Sequence, residues 1–284
     1  MRILTYGKWL LFLLFALETA AQNPVDSFVY KSYPSADASI IATALGINAI
    51  ALISVKNLQP RTPSDLVGLA PDPLFGWEER AISNQSGFAK KASDYILFGS
   101  AMLPLAMFAD KGIRSEARTV FVMGAQAGLI AHGLTLGTKR LVLRNRPYVF
   151  NPDVPISEKL ANESRFSFFS GHTSMTATIT FFSAKVWSDF HPDSRWKPFV
   201  WSAAAALPAL TGYLRHRAGR HYFTDVAAGY AVGALVGYFV PNLHRAGRRH
   251  HFTLNCALDG SLSLSFQWQA GSSTPKGKPQ NHIY

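Results

Sequence analysis

The sequence predicts an all-α, six-helix bundle with a small β-hairpin near its C-terminus, and three features predict it. Apolar stretches of helical length recur at 36–55, 95–109, 119–138, 173–187, 197–213 and 222–240. Glycines recur four residues apart within them, at Gly124 and Gly128, at Gly133 and Gly137, and at Gly229, Gly233 and Gly237. Such spacing lines small residues along one helix face and lets two helices approach closely, in a bilayer or in a soluble bundle. The Ala-rich run Ser202–Ala206 has the same effect, and strand-like alternation appears only in the tail.

Taken in order, the chain opens with Arg2 and Lys8 ahead of the apolar run Trp9–Ala16, then small residues at Thr19, Ala20 and Ala21. This predicts a secretory signal peptide over 1–21, too short for a membrane span. An uncleaved anchor is the alternative. A helical domain is expected over 22–245, long enough for one core and with no break that divides it. Between its first two helices, Pro60, Pro63, Pro71, Pro73 and Gly76 predict loop with at most short helices.

Residues 246–284 form a basic segment, a hairpin at about 252–268 and a disordered tail after Gly271. Phe252, Leu254, Cys256 and Leu258 alternate with polar or small residues, as do Leu262, Leu264, Phe266 and Trp268. A three-residue loop, Asp259 to Ser261, pairs Leu258 with Leu262 and Cys256 with Leu264 and puts both apolar sets on one face.

Whether the bundle lies in a membrane is a closer matter. Several segments approach the ~20 apolar residues that a spanning helix needs. Against this, mean hydropathy is only +0.07, and Asp37, Gln126, His132 and Lys185 interrupt or border the runs. Membrane association is the favoured reading, with the number of spans open. Basic residues flank both ends, so loop charge does not orient the bundle.

Composition bounds the partners. Lys and Arg number 28 against 17 Asp and Glu, a net charge of +11, with a pI near 9.8. An anionic partner follows: nucleic acid, anionic lipid headgroups or a phosphorylated substrate. Nucleic acid is disfavoured, because the arginines cluster in loops between long apolar runs. The single Cys256 excludes an internal disulfide and a cysteine-rich metal site.

The densest chemistry is the run from Arg215 through His216, Arg217, Arg220 and His221 to Asp225. On a helix, residues four apart share a face, so Asp225 can hold the His221 imidazole as a nucleophile or base. Arg215, Arg217 and Arg220 suit a phosphate. Alone, the run reads equally as a cationic loop before an ordinary helical His–Asp pair. Two upstream stretches tip the balance: Lys139-Arg-Leu-Val-Leu-Arg-Asn-Arg146-Pro147, and Phe169-Ser170-Gly171-His172-Thr173.

Together the three stretches resemble the signature of the type 2 phosphatidic acid phosphatase family, within the superfamily that includes the vanadium haloperoxidases. That signature is Lys, six residues, Arg-Pro; then Pro-Ser-Gly-His; then Ser-Arg, five residues, His, three residues, Asp. Phe169 stands where the family usually has Pro, and Leu214 where it has Ser. The resemblance covers roughly residues 95–240 and implies the helical bundle of that family.

It also implies roles. His221 attacks phosphorus to form a phosphohistidine, Asp225 orients it, and His172 protonates the leaving oxygen and then activates water. Lys139, Arg146 and Arg215 hold the phosphate oxygens, with Ser170 and Gly171 adding donors at a helix N-terminus. No metal and no cofactor are implied, since cations take the metal's place. The implied reaction is metal-independent hydrolysis of a phosphomonoester or pyrophosphate on a lipid, of the phosphatidic acid, isoprenyl pyrophosphate or lipid A type. Competing readings are a vanadium-dependent haloperoxidase, a soluble periplasmic non-specific acid phosphatase, and an envelope protein that merely binds anionic lipid. Arg140, Arg144, Arg217 and Arg220, outside the signature, are expected to enlarge the anion field at the mouth.

The site is expected to face outward, periplasmic in a diderm bacterium. After a cleaved leader, three crossings before Lys139 place it in the cytoplasm instead, so an outward site needs an even number, none, or a chain that starts inside.

Overall fold

The computed structural model describes residues 28–71, 75–246, 249–256 and 262–269. The expected signal segment, the Asp259-Gly260 turn and the tail after Gly271 lie outside the described residues. The long helices are α1 (Pro34–Lys56), α2 (Gly87–Ser100), α3 (Ala117–Val142), α4 (Gly171–Phe190), α5 (Lys197–Arg217) and α6 (Phe223–His244).

Local chemistry sets their ends. Pro34 and Pro198 occupy first turns, where a missing N–H costs nothing. Ser86 and Ser170 are N-caps, accepting from the backbone N–H of Ala89 and Thr173. The helix expected at 95–109 begins earlier, at Gly87, because Ser86 caps it, and breaks after Ser100. Pro104 lacks the N–H that would bond back to the Ser100 carbonyl, so short turns at Leu103–Ala106 and Met107–Ala109 follow. Among its described residues the Pro-rich linker carries short 3-10 turns, Pro63–Leu66 and Gly76–Ala81.

α1 and α3 run parallel. Gln126 donates to Asp37 Oδ1 at 3.1 Å, Asn48 donates to the Leu129 carbonyl at 3.0 Å, and Arg140 Nε donates to the Ser54 carbonyl at 3.1 Å. α4 and α6 are also parallel, pressed together along the glycine ladder. A Cβ on Gly229, Gly233 or Gly237 would fall 2.5, 2.1 or 2.5 Å from the carbonyl oxygens of Ser170, Ser174 and Thr178. Two matched spacings of four thus let backbone touch backbone.

α4 is the central helix and its interior is polar: Thr173, Ser174, Thr176, Thr178, Thr180 and Lys185 are all buried. The outer helices show apolar side chains instead. Ile50 of α1, Phe98 of α2 and Phe239 of α6 are 68%, 69% and 53% exposed. Segments 34–56, 87–109, 117–150 and 223–244 have the length and apolar composition of membrane spans. This ordering, apolar outside and polar inside, accounts for the low mean hydropathy. Asp37, Gln126 and Lys185, which seemed to argue against spanning, are turned inward.

One end of the bundle is tied by the chain's first described residues. Glu116 accepts from the N–H groups of Val29 and Tyr30 at 2.7 and 2.9 Å, and Asp189 accepts from the Tyr30 hydroxyl and from Arg245 at 2.8 Å each. At the other end lie the starts of α2, α4 and α6 and the ends of α3 and α5; Ser86 N–H there donates to the Arg217 carbonyl at 3.1 Å. α1, α2 and α3 each run the bundle's length, so Tyr30 and Lys139 sit at opposite ends.

Strands β1 (Arg249–Cys256) and β2 (Leu262–Gln269) pair antiparallel. Cys256 lies opposite Leu262 and Leu254 opposite Leu264. The register expected from a three-residue loop is therefore shifted by two residues, with 257–261 between the strands. An even shift keeps apolar positions opposite apolar positions.

Candidate active site

Each of the three sequence stretches arrives at the same end by its own route. Lys139 stands in the last turn of α3, which closes on Leu143 in the left-handed region at φ 49° and turns the chain inward. Arg146 follows, its N–H bonded to the Ser164 carbonyl at 2.8 Å. Ser170 caps α4, placing Gly171 and His172 in its first turn. Arg215 stands in the last turn of α5, and a short loop carries His221 to the start of α6. Gly219 in that loop has φ +67°, and a Cβ there would meet the Asn84 carbonyl at 2.1 Å, so glycine is required.

A cavity of about 490 Å³ joins them, lined by Lys139, Arg146, His172, Arg215 and His221 together with Arg220, Lys90, Asp94 and Glu163. That volume lies within the range of small-molecule sites. Val55 of α1 and Leu136 of α3 also line it, bringing the outer apolar helices to its wall. The Nε atoms of Arg146 and Arg215 are buried without a hydrogen-bond partner among the described residues. A buried guanidinium N–H without an acceptor is costly unless an anion receives it. A Cβ on Gly171 would fall 3.4 Å from Lys139 Nζ and 3.0 Å from Thr135 Cγ2, so glycine lets the ammonium lie against the start of α4.

The geometry fixes the tautomer of His221. Its Nδ1 lies 2.7 Å from the Ser167 carbonyl oxygen. A carbonyl only accepts, so Nδ1 carries the proton and Nε2 keeps its lone pair. Burial, together with the charges of Arg146, Arg215 and Lys139, holds His221 well below the usual histidine range, against the pull of the Ser167 carbonyl. The imidazole is therefore neutral and nucleophilic near neutral pH.

The expected helical His–Asp pair takes a different form. α6 begins only at Phe223, so His221 precedes the helix and Asp225 lies in its first turn. Asp225 Oδ2 accepts from the Tyr222 N–H at 2.8 Å and from the Ser167 hydroxyl at 2.5 Å, and stays 3.7 Å from His221 Nδ1. Ser167 thus stands between the two. Ser170 also turns from the cavity: its hydroxyl meets Thr173 Oγ1 at 2.9 Å, and its N–H donates to the Asp225 carbonyl at 2.9 Å.

The arginines outside the signature correct another expectation. Arg140 Nε donates to the Ser54 carbonyl, whereas Arg220 does line the cavity, paired with Glu158 and lying over the Tyr148 ring at 4.6 Å. Arg144 is not at the mouth. Its side chain is 9% exposed and donates to Asp225 Oδ1 at 2.6 Å and to Glu78 Oε2 at 3.1 Å.

Sequence reasoning missed Asp94, Glu78 and Ser167. Asp94 Oδ1 lies 2.8 Å from His172 Nε2 and 3.5 Å from Arg215 Nη1. Its signal was weak, a single acidic residue on the polar face of α2. Glu78 lies in the Pro-rich linker, which carried no periodicity to mark it. Among the described residues no group of three or more His, Cys, Asp and Glu side chains is placed to hold a metal ion.

A family model described as the PAP2 superfamily matches residues 117–249. Over 92 residues the chain is 29% identical to a lipid A 4'-phosphatase of Porphyromonas gingivalis, a match covering 32% of this chain and 36% of that protein. The chain therefore matches about a third of that relative's length. The crystal structure of a transmembrane PAP2-type phosphatidylglycerolphosphate phosphatase from Bacillus subtilis aligns with 73% of this chain and 94% of its own, at 21% identity. The TM-score of that alignment is 0.36.

Proposed function

We propose, from the match of residues 117–249 to the PAP2 superfamily, that this chain is a metal-independent phosphatase acting on a phosphomonoester or pyrophosphate borne by a lipid. The observation that carries the reading is the meeting of Lys139, Arg146 and Arg215 with the lone-pair nitrogen of His221 around one cavity. Three cations offset the charge of a phosphoryl group, and an uncharged imidazole supplies an in-line nucleophile.

The steps balance as follows. His221 Nε2 attacks phosphorus; the N–P bond forms as the P–O bond to the leaving group breaks. His172, as the imidazolium that Asp94 favours against burial and Arg215, gives its Nε2 proton to the departing oxygen and becomes neutral. Water then attacks the phosphohistidine, passing its proton to His172, and inorganic phosphate leaves with His221 restored. Asp225 acts behind the nucleophile, through Ser167 and Tyr222. Ser170 and Gly171 contribute the positive end of α4.

A lipid substrate is supported by the apolar outer helices and by the Val55 and Leu136 wall of the cavity. Phosphate release from phosphatidate, an isoprenyl pyrophosphate, lipid A and soluble esters tests this. Faster turnover of lipid esters is expected; equal or faster turnover of soluble esters would favour the non-specific acid phosphatase reading.

The site is proposed to face outward, near the headgroup plane. Tyr30 and Lys139 lie at opposite ends, so three full crossings then require residue 30 on the inner side. A cleaved leader and an outward site are incompatible under that count. Alkaline phosphatase fused within 148–165 should be active; a fluorescent green fluorescent protein fusion there would place the site inside.

A further inference from the structure

Behind the nucleophile lies a buried charge cluster that the sequence signature does not contain. Arg144 Nη1 donates to Asp225 Oδ1 at 2.6 Å and to Thr224 Oγ1 at 2.9 Å, and its guanidinium lies 4.2 Å from the centre of the Tyr222 ring. Its second nitrogen reaches Glu78 Oε2 at 3.1 Å. Glu78 Oε1 accepts from the Thr224 N–H at 2.9 Å and hydroxyl at 2.7 Å, so it also caps the first turn of α6. The Glu78 and Asp225 side chains are 0% exposed.

Such a cluster matters because of what Asp225 would otherwise do. A bare carboxylate 3.7 Å from an imidazole favours imidazolium. An imidazolium has no lone pair with which to attack phosphorus. We infer that Arg144 is a positioning residue that cancels the Asp225 carboxylate, to an extent set by the Glu78 carboxylate that shares its charge, so that His221 stays an uncharged nucleophile. The inference rests on the proposed phosphohistidine reading and adds to it two residues outside the motifs.

Other charges also face His221. Lys90 and Asp94 come from α2, Lys139 from α3, Arg146 and Glu163 from the segment between α3 and α4, His172 from α4, Arg215 and His216 from α5, and Arg220 from the preceding loop. Arg146, Arg215 and Lys139 push His221 toward the neutral form. The His216 ring approaches the His221 carbonyl oxygen at 3.3 Å. Burial raises Glu78, but the Thr224 and Arg144 hydrogen bonds outweigh it and keep the carboxyl below its usual range, so it is ionised when it holds Arg144. Against this cationic surround, the cluster decides how much of the Asp225 charge reaches the ring.

The test is the acid limb of kcat/KM against pH for one ester, whose own ionisation is common to all variants and cancels. Arg144→Gln should move the limb up by about one pH unit, since Asp225 is no longer offset. Glu78→Gln should move it down, because Arg144 is left with one carboxylate fewer. Arg144→Lys should restore most of the wild-type position. In an Asp225→Asn background the Arg144→Gln shift should disappear, which separates action through Asp225 from a general field. If Arg144→Gln does not fold, Glu78→Gln and Arg144→Lys still carry the test. Loss of activity equal at every pH, or shifts of the same sign in Arg144→Gln and Glu78→Gln, would make the cluster structural only. A wild type that forms no phosphoenzyme overturns the underlying reading instead, which keeps the two failures distinct.

Discussion

His221 Nδ1 lies 2.7 Å from the Ser167 carbonyl oxygen and 3.7 Å from Asp225 Oδ2, so the backbone, not the carboxylate, fixes the nucleophile's proton. The proposed mechanism needs Nε2 unprotonated, and this contact secures it. Asp225 is then required for the shape of the loop and the start of α6, more than for the tautomer.

Asp225→Asn should therefore lower kcat by about 10–100-fold, well short of the ~10⁴-fold expected when a carboxylate alone sets the tautomer. Steady-state kinetics beside His221→Ala check this. A loss as deep as that of His221→Ala would return the tautomer to Asp225.

The contact between Asp94 Oδ1 and His172 Nε2, 2.8 Å, predicts a dependence on leaving group. His172→Ala should slow alkyl phosphates far more than nitrophenyl phosphate, because only a poor leaving group needs the proton. Asp94→Asn should show the same pattern at about tenfold, since it removes the anion that favours protonated His172. Equal losses across leaving groups would remove both residues from the acid role.

The lowered His221 has a signed consequence for stability. Its folded value lies below the unfolded value of about 6.5. The unfolded chain thus binds the extra proton first, and stability falls as pH drops below about 6.5 toward the folded value. Between pH of about 8 and about 5.5, wild type should lose more Tm than His221→Gln, while the acid limb of kcat/KM stays below 6.5. A variant that loses as much Tm as wild type would show that His221 is not held neutral by the fold.

Much of the fold was legible because its signals are periodic. The glycine spacing at 229, 233 and 237 was readable as close packing, but its partner, the ladder of Ser170, Ser174 and Thr178 carbonyls along α4, was not. Of the signature residues, Lys139, Arg146, His172, Arg215 and His221 line the cavity, while Ser170 turns to Thr173 and Asp225 lies behind His221. What stayed hidden depends on contacts across long stretches of chain. Asp94 reaches His172 and Glu78 reaches Arg144 with no local periodicity to announce either. Arg144 read as a mouth cation because nothing in the sequence marks a buried carboxylate waiting for it. The helix expected at 222–240 begins at Phe223, so the i,i+4 spacing of His221 and Asp225 straddles its start and does not make a helical pair.

The glycine ladder yields a paired prediction. Gly229→Ala and Gly237→Ala each put a Cβ 2.5 Å from a carbonyl oxygen of α4. Each should cost about 1–3 kcal/mol of stability through overpacking. Gly229 meets Ser170, beside His172, so that variant should also lose kcat, while Gly237→Ala should retain kcat per folded molecule. Thermal unfolding with activity on the folded fraction checks it. Equal kcat in both would mean that the α4 start does not set the site.

The measurement closest to the central claim is rapid quench of the full-length protein with ³²P-labelled lipid phosphate in the presence of EDTA. A phosphoenzyme that is acid-labile and alkali-stable should form, map to His221 and vanish in His221→Ala. Turnover without label, label on another residue, or activity that EDTA abolishes and a divalent ion restores would contradict the account.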